Sequence, residues 1–242
     1  MDLNHNPPIF HVTHWKAGSQ WVRAVLSAAA PGRVRSPDHD PQWFYKTPLV
    51  DGCVYTPVYE PYVKFRSVVP ETRAQRTFVV IRDPRDTAVS WYFSHLYSHS
   101  LDDPTVKASR EILQRLSKTD GLALVISNHL RDGVAIQQSW VESGARVFKY
   151  EDLRKNQYEE FGKLLNFCGL DLPEARRRRI VARNSFERKT WWRRGRENVR
   201  SHLRKGAAGD WRNHFCDRLK KLFKTHYQQL LITTGYESDD AW

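Results

Sequence analysis

Lys16, Gly18 and Ser19 form the first group of residues whose types and spacing could bind an anion. Lysine supplies a full positive charge, and glycine can take backbone angles that other residues avoid. Serine is favoured at the start of a helix, and a turn that leads into a helix exposes unpaired amides at the positive end of the helix dipole. The alternative is an ordinary strand–turn–helix unit, as in any α/β protein, with a solvated lysine. The stretch is not a Walker A phosphate loop, because the Gly-x-x-x-x-Gly-Lys-Ser/Thr spacing is absent.

Arg82 and Ser90 form a second group, eight positions apart. The planar guanidinium of arginine can pair two oxygens of a phosphate at once. Asp83 and Pro84 predict the start of a helix, with aspartate as the cap and proline at the first helical position, so Ser90 would lie about two turns into that helix. The alternative is that Arg82 only forms an ion pair with Asp83 or Asp86.

The elements that position both groups follow the order of an α/β protein. Residues 10–13 and 77–81 are predicted strands, and a helical pattern of apolar residues follows each of them. In an open parallel sheet, ligands gather outside the carboxyl ends of the strands, where Lys16 and Arg82 would both lie. The predicted fold is therefore α/β with three layers, a central and mostly parallel sheet flanked by helices.

The rest of the chain is assigned from local patterns. Residues 31–51 have loop composition with an aromatic patch, and residues 52–59 read as a strand that ends near Pro57 or lies near a sheet edge. A basic segment at 188–203 is predicted to be a flap over the ligand. Further predicted elements are helices at 105–117, 121–130, 137–140, 158–167, from 171 and at 216–231, and a strand at 145–149.

Composition bounds the class of protein. A chain of 242 residues with 40% hydrophobic residues fits one folded domain over residues 1–242. Neither a signal peptide nor an apolar run long enough to span a membrane is present in the sequence. Three cysteines at distant positions (Cys53, Cys168 and Cys216) suggest a reduced, cytoplasmic protein without a disulfide framework or metal-ligand spacing.

The net charge of +12 suggests an anionic partner, which could be nucleic acid, a membrane surface or a small polyanion. The densest basic runs lie at 176–179 and 188–205. The first run is interpreted as a solvated helix face, and the second lies beside a glycine-rich turn.

Five motifs in order resemble those of sulfotransferases that use 3′-phosphoadenosine 5′-phosphosulfate (PAPS). The resemblance covers residues 10 to 215, and its last motif is long and unusual in composition. The motifs are Lys16-Ala-Gly-Ser-Gln-Trp21, Arg82-Asp-Pro-Arg-Asp-x-x-x-Ser90, Tyr150-Glu-Asp-Leu153, Asn184-Ser-Phe186 and Arg204-Lys-Gly206-Ala-Ala-Gly-Asp-Trp211-Arg-Asn-His-Phe215.

The resemblance implies a nucleotide-binding architecture like that of P-loop proteins and a role for each matching residue. The 5′-phosphosulfate would be cradled by Lys16, Ala17, Gly18, Ser19 and Gln20, where glutamine replaces the usual threonine. The 3′-phosphate would be held by Arg82, Ser90, Arg204, Lys205 and Gly206. The adenine would lie between Trp21 and Phe186, with Tyr150 near its edge. From spacing alone, Trp21 would instead be a core residue of the first helix.

The implied reaction is in-line transfer of a sulfuryl group to an acceptor hydroxyl or amine, which releases adenosine 3′,5′-bisphosphate (PAP). Positioning and charge stabilisation supply most of the catalysis in such transfers, and Lys16 would stabilise the departing phosphate. The chemistry requires no metal.

The general base is the part that the motifs leave open. Many cytosolic members of the family carry a histidine in a Lys-Thr-His segment, and residues 54–60 of this chain lack it. Other sulfotransferases use glutamate, so Glu60 is the first candidate, followed by His95, His99 and His14. A structural or surface role is the alternative for each of them.

Other functions and several acceptors remain open. A P-loop kinase, a nucleic-acid-binding protein and a PAPS or PAP binder that has lost transfer activity are the competing hypotheses, and nucleic acid is not the expected partner. The basic flap would suit an anionic glycan as the acceptor, whereas a planar small molecule or a lipid is suggested by five aromatic residues, Trp43, Phe44, Tyr45, Tyr55 and Tyr59. A homodimer is also kept open.

Overall fold

The computed structural model describes residues 6–37, 42–186, 188, 197–201 and 203–242. The chain divides into two compact units. The first unit combines residues 1–81 with 135–189, and the second combines residues 82–134 with 190–242. Most of the predicted flap at 188–203 lies outside the described residues.

The first unit is built on a five-stranded sheet in which every pair of neighbouring strands is parallel. The strand order is β2-β3-β1-β4-β5. In chain order the strands are β1 (Ile9–Thr13), β2 (Val34–Arg35), β3 (Val54–Val58), β4 (Arg76–Ile81) and β5 (Arg146–Lys149). The predicted α/β fold with a central parallel sheet is confirmed.

Helices cover both faces of this sheet because successive side chains of a strand point to opposite faces. On one face, Ile9 and Phe78 belong to a core with apolar residues of four helices. On the other face, Phe10 stacks on Tyr55 with ring centroids 5.0 Å apart and meets Phe65 edge to face at 5.2 Å. The aromatic residues of 43–65 therefore include core residues.

The helices of this unit carry the core residues at helical spacing. They are α1 (Ser19–Ala29), α2 (Trp43–Lys46), α3 (Tyr62–Val68), most of α7 (Arg131–Glu142), α8 (Tyr150–Lys155), α9 (Gln157–Phe167) and α10 (Glu174–Arg183). The first core contains residues of α1, α8, α9 and α10.

Two details differ from the prediction in this unit. Residues 31–51 contain the short strand β2 and the short helix α2, rather than loop alone. Strand β3 continues through Pro57 to Val58. It pairs with β2 only at Val54 and Tyr55, so Pro57 lies beyond that pairing, where the missing N–H of proline costs no ladder bond on that side.

The second unit is helical in its described residues. Its elements are α4 (Pro84–Phe93), a π-helix (Ser94–Ser98), α5 (Pro104–Arg115), α6 (Lys118–Leu124), a π-helix (Val125–His129), the start of α7, a 3₁₀ turn (Asp210–Asn213) and α11 (Asp217–Thr233). Apolar residues of α4, α6 and α11 share its core with Trp211 and Phe215.

The three cysteines are free thiols, as the sequence predicts. Cys53 and Cys168 are buried, whereas Cys216 is exposed. Burial raises the pKa of Cys168 to about 12, so this thiol stays protonated at neutral pH. Among the described residues, no helix has both the length and the apolar character needed to cross a bilayer.

Candidate functional site

The turn between β1 and α1 contains two residues with left-handed backbone angles, and Lys16 is one of them. Lys16 has φ 69° and Gly18 has φ 87°, both in the left-handed region, which a residue with a side chain adopts only at a cost. Ser19 begins α1, and the carbonyl of Gly18 accepts from the amides of Trp21 and Val22. The tight turn followed by a helix start that was predicted for this stretch is therefore present.

Tyr150 lies directly against this turn. A Cβ atom added to Gly18 would come within 2.8 and 2.9 Å of two ring carbons of Tyr150. Tyr150 begins α8 immediately after β5, so a strand end and a helix start bring it to the loop. The two positions belong to different motifs, and the structure brings them together.

Replacing Gly18 with alanine is expected to lower the free energy of unfolding by about 1–3 kcal/mol, because the new methyl group meets Tyr150 at a backbone angle that disfavours it. Gly32→Ala is the matched control, since Gly32 has φ 76° and open space around its Cα. Denaturant unfolding of both variants separates the backbone cost from the contact with the ring. Equal losses in the two variants would contradict a role for Tyr150.

Trp21 packs partly buried against the first unit's core. Its ring meets Phe161 edge to face at 4.9 Å and Tyr150 at 6.1 Å. The position is thus both a core contact and a neighbour of Tyr150. Phe186, the other predicted adenine contact, lies just past the end of α10 and is partly buried.

In the second unit, Arg82 follows β4 and leads into α4. Arg82 is 8% exposed, and the side chain of Asp83 caps the helix by accepting from the amide of Arg85 at 2.9 Å. Pro84 is the first helical residue, and Ser90 lies within the helix, as predicted. The cap and the register of Ser90 are confirmed.

Arg85 is the buried centre of a cluster in the second unit. Its guanidinium lies 4.0 Å from the ring centroid of Trp211 and 4.5 Å from that of Trp242. It also forms ion pairs with Asp83, at 2.8 Å, and with Glu237. Stacking and ion pairing together offset the cost of burying the charge, so this arginine ties α4 to the end of the chain.

Asp86 fixes the loop that contains the last motif. One carboxylate oxygen accepts from the amide of Gly209 at 2.6 Å, and the other accepts from the amide of Trp211 at 2.9 Å. Burial raises the pKa of Asp86, whereas the charge of Arg82 acts in the opposite direction. Asp86 therefore positions the segment that carries Arg204, Lys205 and Gly206, although no motif role had been assigned to it.

Asp210 forms ion pairs with two cationic side chains of this loop, Arg204 and Lys205. It is 3% exposed and accepts from Arg204 and Lys205, each at 2.5 Å, as well as from Asn213 and His214. Burial alone would raise the pKa of Asp210, but hydrogen bonds from these four side chains outweigh it and hold the pKa far below its usual range. The two cations are thus held in place by one carboxylate.

Glu197, Asp210 and His214 also have ligand atoms within 4.8 Å of one another, close enough for a metal ion. Glu197 forms an ion pair with Arg204, and Asp210 accepts from Arg204 and Lys205. A metal at this position would have to displace those cations.

The first two candidates for the general base lie in different settings. Glu60 follows β3 in the first unit, is partly buried and accepts a hydrogen bond from the phenol of Tyr45. His95 lies in a π-helix of the second unit, where its ring stacks on Trp91 at 3.2 Å. Trp91 also stacks on His129 at 4.2 Å.

The remaining two candidates occupy structural settings. His99 accepts or donates a 3.4 Å hydrogen bond with Ser94, and its ring lies 5.3 Å from that of His95. His14 is buried beside the loop and bonds through Nδ1 to the carbonyl of Trp15.

The family model described as "Sulfotransferase domain" matches residues 6–235. The chain belongs to the sulfotransferase family. The relatives of this sulfotransferase include Sulfotransferase 6B1 of Danio rerio, 24% identical over 92% of the chain and 78% of the relative. The 3-alpha-hydroxysteroid sulfotransferase of Cavia porcellus is 27% identical over 93% of the chain and 83% of the relative.

Solved structures share the sulfotransferase fold. Mouse sulfotransferase SULT7A1 complexed with PAP has a TM-score of 0.68 at 18% identity, over 96% of this chain and 90% of that one. Retinol dehydratase in complex with androsterone and PAP has a TM-score of 0.60 at 15% identity, over 95% and 83% of the respective chains. These likenesses support the P-loop-like architecture predicted for the fold.

Three features of this sulfotransferase were missed by sequence reasoning. Tyr59, which had been noted only as an aromatic residue, donates a hydrogen bond to Ser19 at 2.9 Å. Asp86 and Arg85 were read only as part of a phosphate motif or as ion-pair partners. The sequence did contain one signal for Asp86 and Arg85, namely the charged residues around Pro84. The predicted helix cap accounted for that pattern, so no further contacts were predicted from it.

Proposed function

We propose that this protein transfers a sulfuryl group from PAPS to a hydroxyl or amine of an acceptor and releases PAP. The observation that carries the proposal is the left-handed turn at Lys16 and Gly18, directly before α1, in a chain of the sulfotransferase family. The turn supports an anion site, because it places a lysine beside the unpaired amides of a helix start.

In the first unit, the loop of residues 16–20 would hold the 5′-phosphosulfate. Lys16 would stabilise the bridging oxygen as negative charge builds on the departing phosphate, in an in-line displacement at sulfur. Ala17 is buried, while Ser19 and Gln20 begin α1 and would offer amides and side-chain donors. Trp21 and Phe186 would contact the adenine, with Tyr150 near its edge.

In the second unit, Arg82, Ser90, Arg204, Lys205 and Gly206 would hold the 3′-phosphate. The ion pairs that Arg204 makes with Glu197 and Asp210 support this role, because they identify its guanidinium as a group that binds anionic oxygens. A phosphate at Arg204 would compete with these carboxylates, most readily with Glu197, which is exposed.

The proposal extends to the partners and the setting. The acceptor would be a small molecule, a lipid or a glycan, and neither a nucleic acid nor a metal is needed. A single sulfotransferase domain over residues 1–242 and a cytoplasmic location are part of it, and a homodimer stays a prediction. Glu60 and His95 stay predictions for the group that receives the acceptor's proton.

Titration of the protein with PAP tests the proposal. We expect a large upward thermal shift, because a ligand that binds only the folded state stabilises it by mass action. Labelled PAPS should then transfer its sulfuryl group to some member of a panel of phenols, lipids and glycans. Adenosine 5′-monophosphate is the control ligand, since it lacks the 3′-phosphate.

Each outcome separates the competing functions. No shift at millimolar PAP would contradict the proposal. A shift without transfer to any acceptor would favour a PAP-binding protein that has lost catalysis. Magnesium-dependent hydrolysis of ATP would favour a P-loop kinase or related enzyme instead. A steep fall in affinity for nucleic acid with salt, and indifference to PAP, would favour a nucleic-acid-binding protein.

A further inference from the structure

Tyr59 brings a phenol onto the turn that precedes α1. It follows the last residue of β3, and its hydroxyl donates a 2.9 Å hydrogen bond to the hydroxyl of Ser19. The two residues are 40 positions apart, and both lie in the first unit. Ser19 is 7% exposed, so the contact forms in a largely buried place.

The ring of Tyr59 is held by Trp15. The two rings stack with centroids 5.2 Å apart and an angle of 11° between their planes. Trp15 is 44% exposed and directly precedes Lys16. One side of the stack therefore faces solvent next to Lys16, whereas the phenol oxygen at its inner end reaches Ser19.

Each of the two hydroxyls has one proton to donate and lone pairs that accept. When Tyr59 donates to Ser19 Oγ, the proton of Ser19 is left to bond elsewhere. Burial raises the pKa of Tyr59, against the opposing effects of the Ser19 hydrogen bond and the charge of Arg23. The phenol is therefore protonated at neutral pH, and it can accept a proton only while giving up its own.

We propose that Tyr59 and Ser19 form a proton relay from the acceptor to the departing phosphate, an inference that rests on the proposed function. As the acceptor oxygen bonds to sulfur and the bond from sulfur to the bridging oxygen breaks, the acceptor's proton moves to Tyr59 Oη. The proton of Tyr59 moves to Ser19 Oγ, and that of Ser19 moves to an oxygen of the leaving phosphate. Both side chains end with one proton each, and PAP leaves with the proton that Ser19 carried, so that the net change is the transfer of one proton from the acceptor to PAP.

The relay removes the need for a separate strong base. A positioned proton acceptor contributes about 10²–10⁴-fold to a rate, and its value is greatest for acceptors that are not yet ionised. In the proposed function, Lys16 stabilises the negative charge of the same leaving group. The relay and the lysine would thus both act on oxygens of the departing phosphate. Glu60 lies next along the chain, and its carboxylate accepts from Tyr45.

The test compares Tyr59→Phe with the unaltered protein on two acceptors of different acidity. Phenol is un-ionised in mildly alkaline buffer, whereas 4-nitrophenol is largely ionised there. We expect kcat with phenol to fall about 10²-fold or more, and kcat with 4-nitrophenol to fall less than about fivefold. With phenol, the variant's rate should also rise with pH as the acceptor ionises, while the unaltered protein shows a flatter profile.

Two further variants sharpen the comparison. Ser19→Ala should show the same dependence on acceptor acidity, and the double variant should lose little more than either single variant, because the two groups act as one unit. Tyr62→Phe is the matched control, since the Tyr62 hydroxyl donates to the exposed carboxylate of Glu71 at 2.9 Å. Calorimetric titration with PAP should give Tyr59→Phe an affinity within about fivefold of the unaltered protein.

Three results would overturn the relay. One is an unchanged rate with phenol in Tyr59→Phe, and another is an equal loss with both acceptors, which would indicate a structural role. The third is the acidity-dependent loss appearing in Glu60→Gln and not in Tyr59→Phe. If the unaltered protein binds PAP but transfers to neither acceptor nor to the wider panel, the proposed function itself fails.

Discussion

Replacing Lys16 with methionine is expected to lower kcat for sulfuryl transfer about 10²–10³-fold, while the affinity for PAP changes less than tenfold. In the proposed mechanism, the lysine charge would act on the bridging oxygen, where negative charge grows only as the bond to sulfur breaks. Methionine keeps a Cβ atom at the left-handed position 16, so the backbone cost at φ 69° is similar in both proteins. Steady-state rates with labelled PAPS and calorimetric titration with PAP give the two quantities.

Lys64→Met is the control for the loss of one positive charge. Lys64 is exposed on α3, in the same unit as the loop. If Lys16→Met turns over as fast as this control, the catalytic role of Lys16 is refuted. If binding of PAP and turnover fall by the same factor, Lys16 acts in ground-state binding alone.

Asp86→Asn is expected to lower the free energy of unfolding by about 2–3 kcal/mol and to weaken PAP binding tenfold or more. Each oxygen of Asp86 accepts from a different backbone amide, of Gly209 or of Trp211. Asparagine has one oxygen for the two amides, so its NH₂ group would face a buried donor. The loop that positions Arg204 and Lys205 would then lose one of its two backbone hydrogen bonds to Asp86.

The experiment pairs urea unfolding with titration by PAP. Asp132→Asn is the matched control, because Asp132 is exposed near the start of α7 and lies in the same unit. Stability and PAP affinity equal to those of this control would show that the loop holds its place without Asp86. A stability loss with unchanged affinity would contradict the positioning role alone.

Local signals predicted the parts of the fold that depend on neighbouring residues. Asp83 and Pro84 fix the start of α4 because cap and first-turn geometry involve only adjacent positions. The buried strand β4 was predicted from its run of β-branched residues, since both faces of a parallel strand are covered. Gly18 was identified as the turn residue for the same local reason.

Contacts between distant residues could not be predicted in this way. Asp86 bonds to residues more than 120 positions away, and Tyr59 reaches Ser19 across 40 positions. The partner cannot be predicted from the residue type, because aspartate and tyrosine form hydrogen bonds with many groups. The continuation of β3 through Pro57 depended on how far β2 pairs beside it, which is a property of the sheet.

The family resemblance supplied what physical patterns alone did not. Spacing identified Lys16 and Arg82 as anion-binding candidates, but it left Trp21 as a core residue. The structure shows Trp21 packed against Phe161 of the core and also against Tyr150, whereas its contact with adenine stays a prediction. Its indole stabilises the core with one edge while another part stays partly exposed.

The cluster around Arg85 has a consequence for how the second unit opens. Arg85 is buried in the first turn of α4, and its guanidinium contacts Trp211, Glu237 and Trp242 at once. Fraying of the chain's last residues would remove Glu237 and Trp242 from Arg85 and leave its buried charge with fewer partners. The free-energy cost of that fraying would therefore also destabilise the helix and the loop that Arg85 contacts. We therefore expect α4, the loop of Gly209 and Trp211 and the last residues of the chain to unfold as one cooperative unit, with amides that exchange with solvent together.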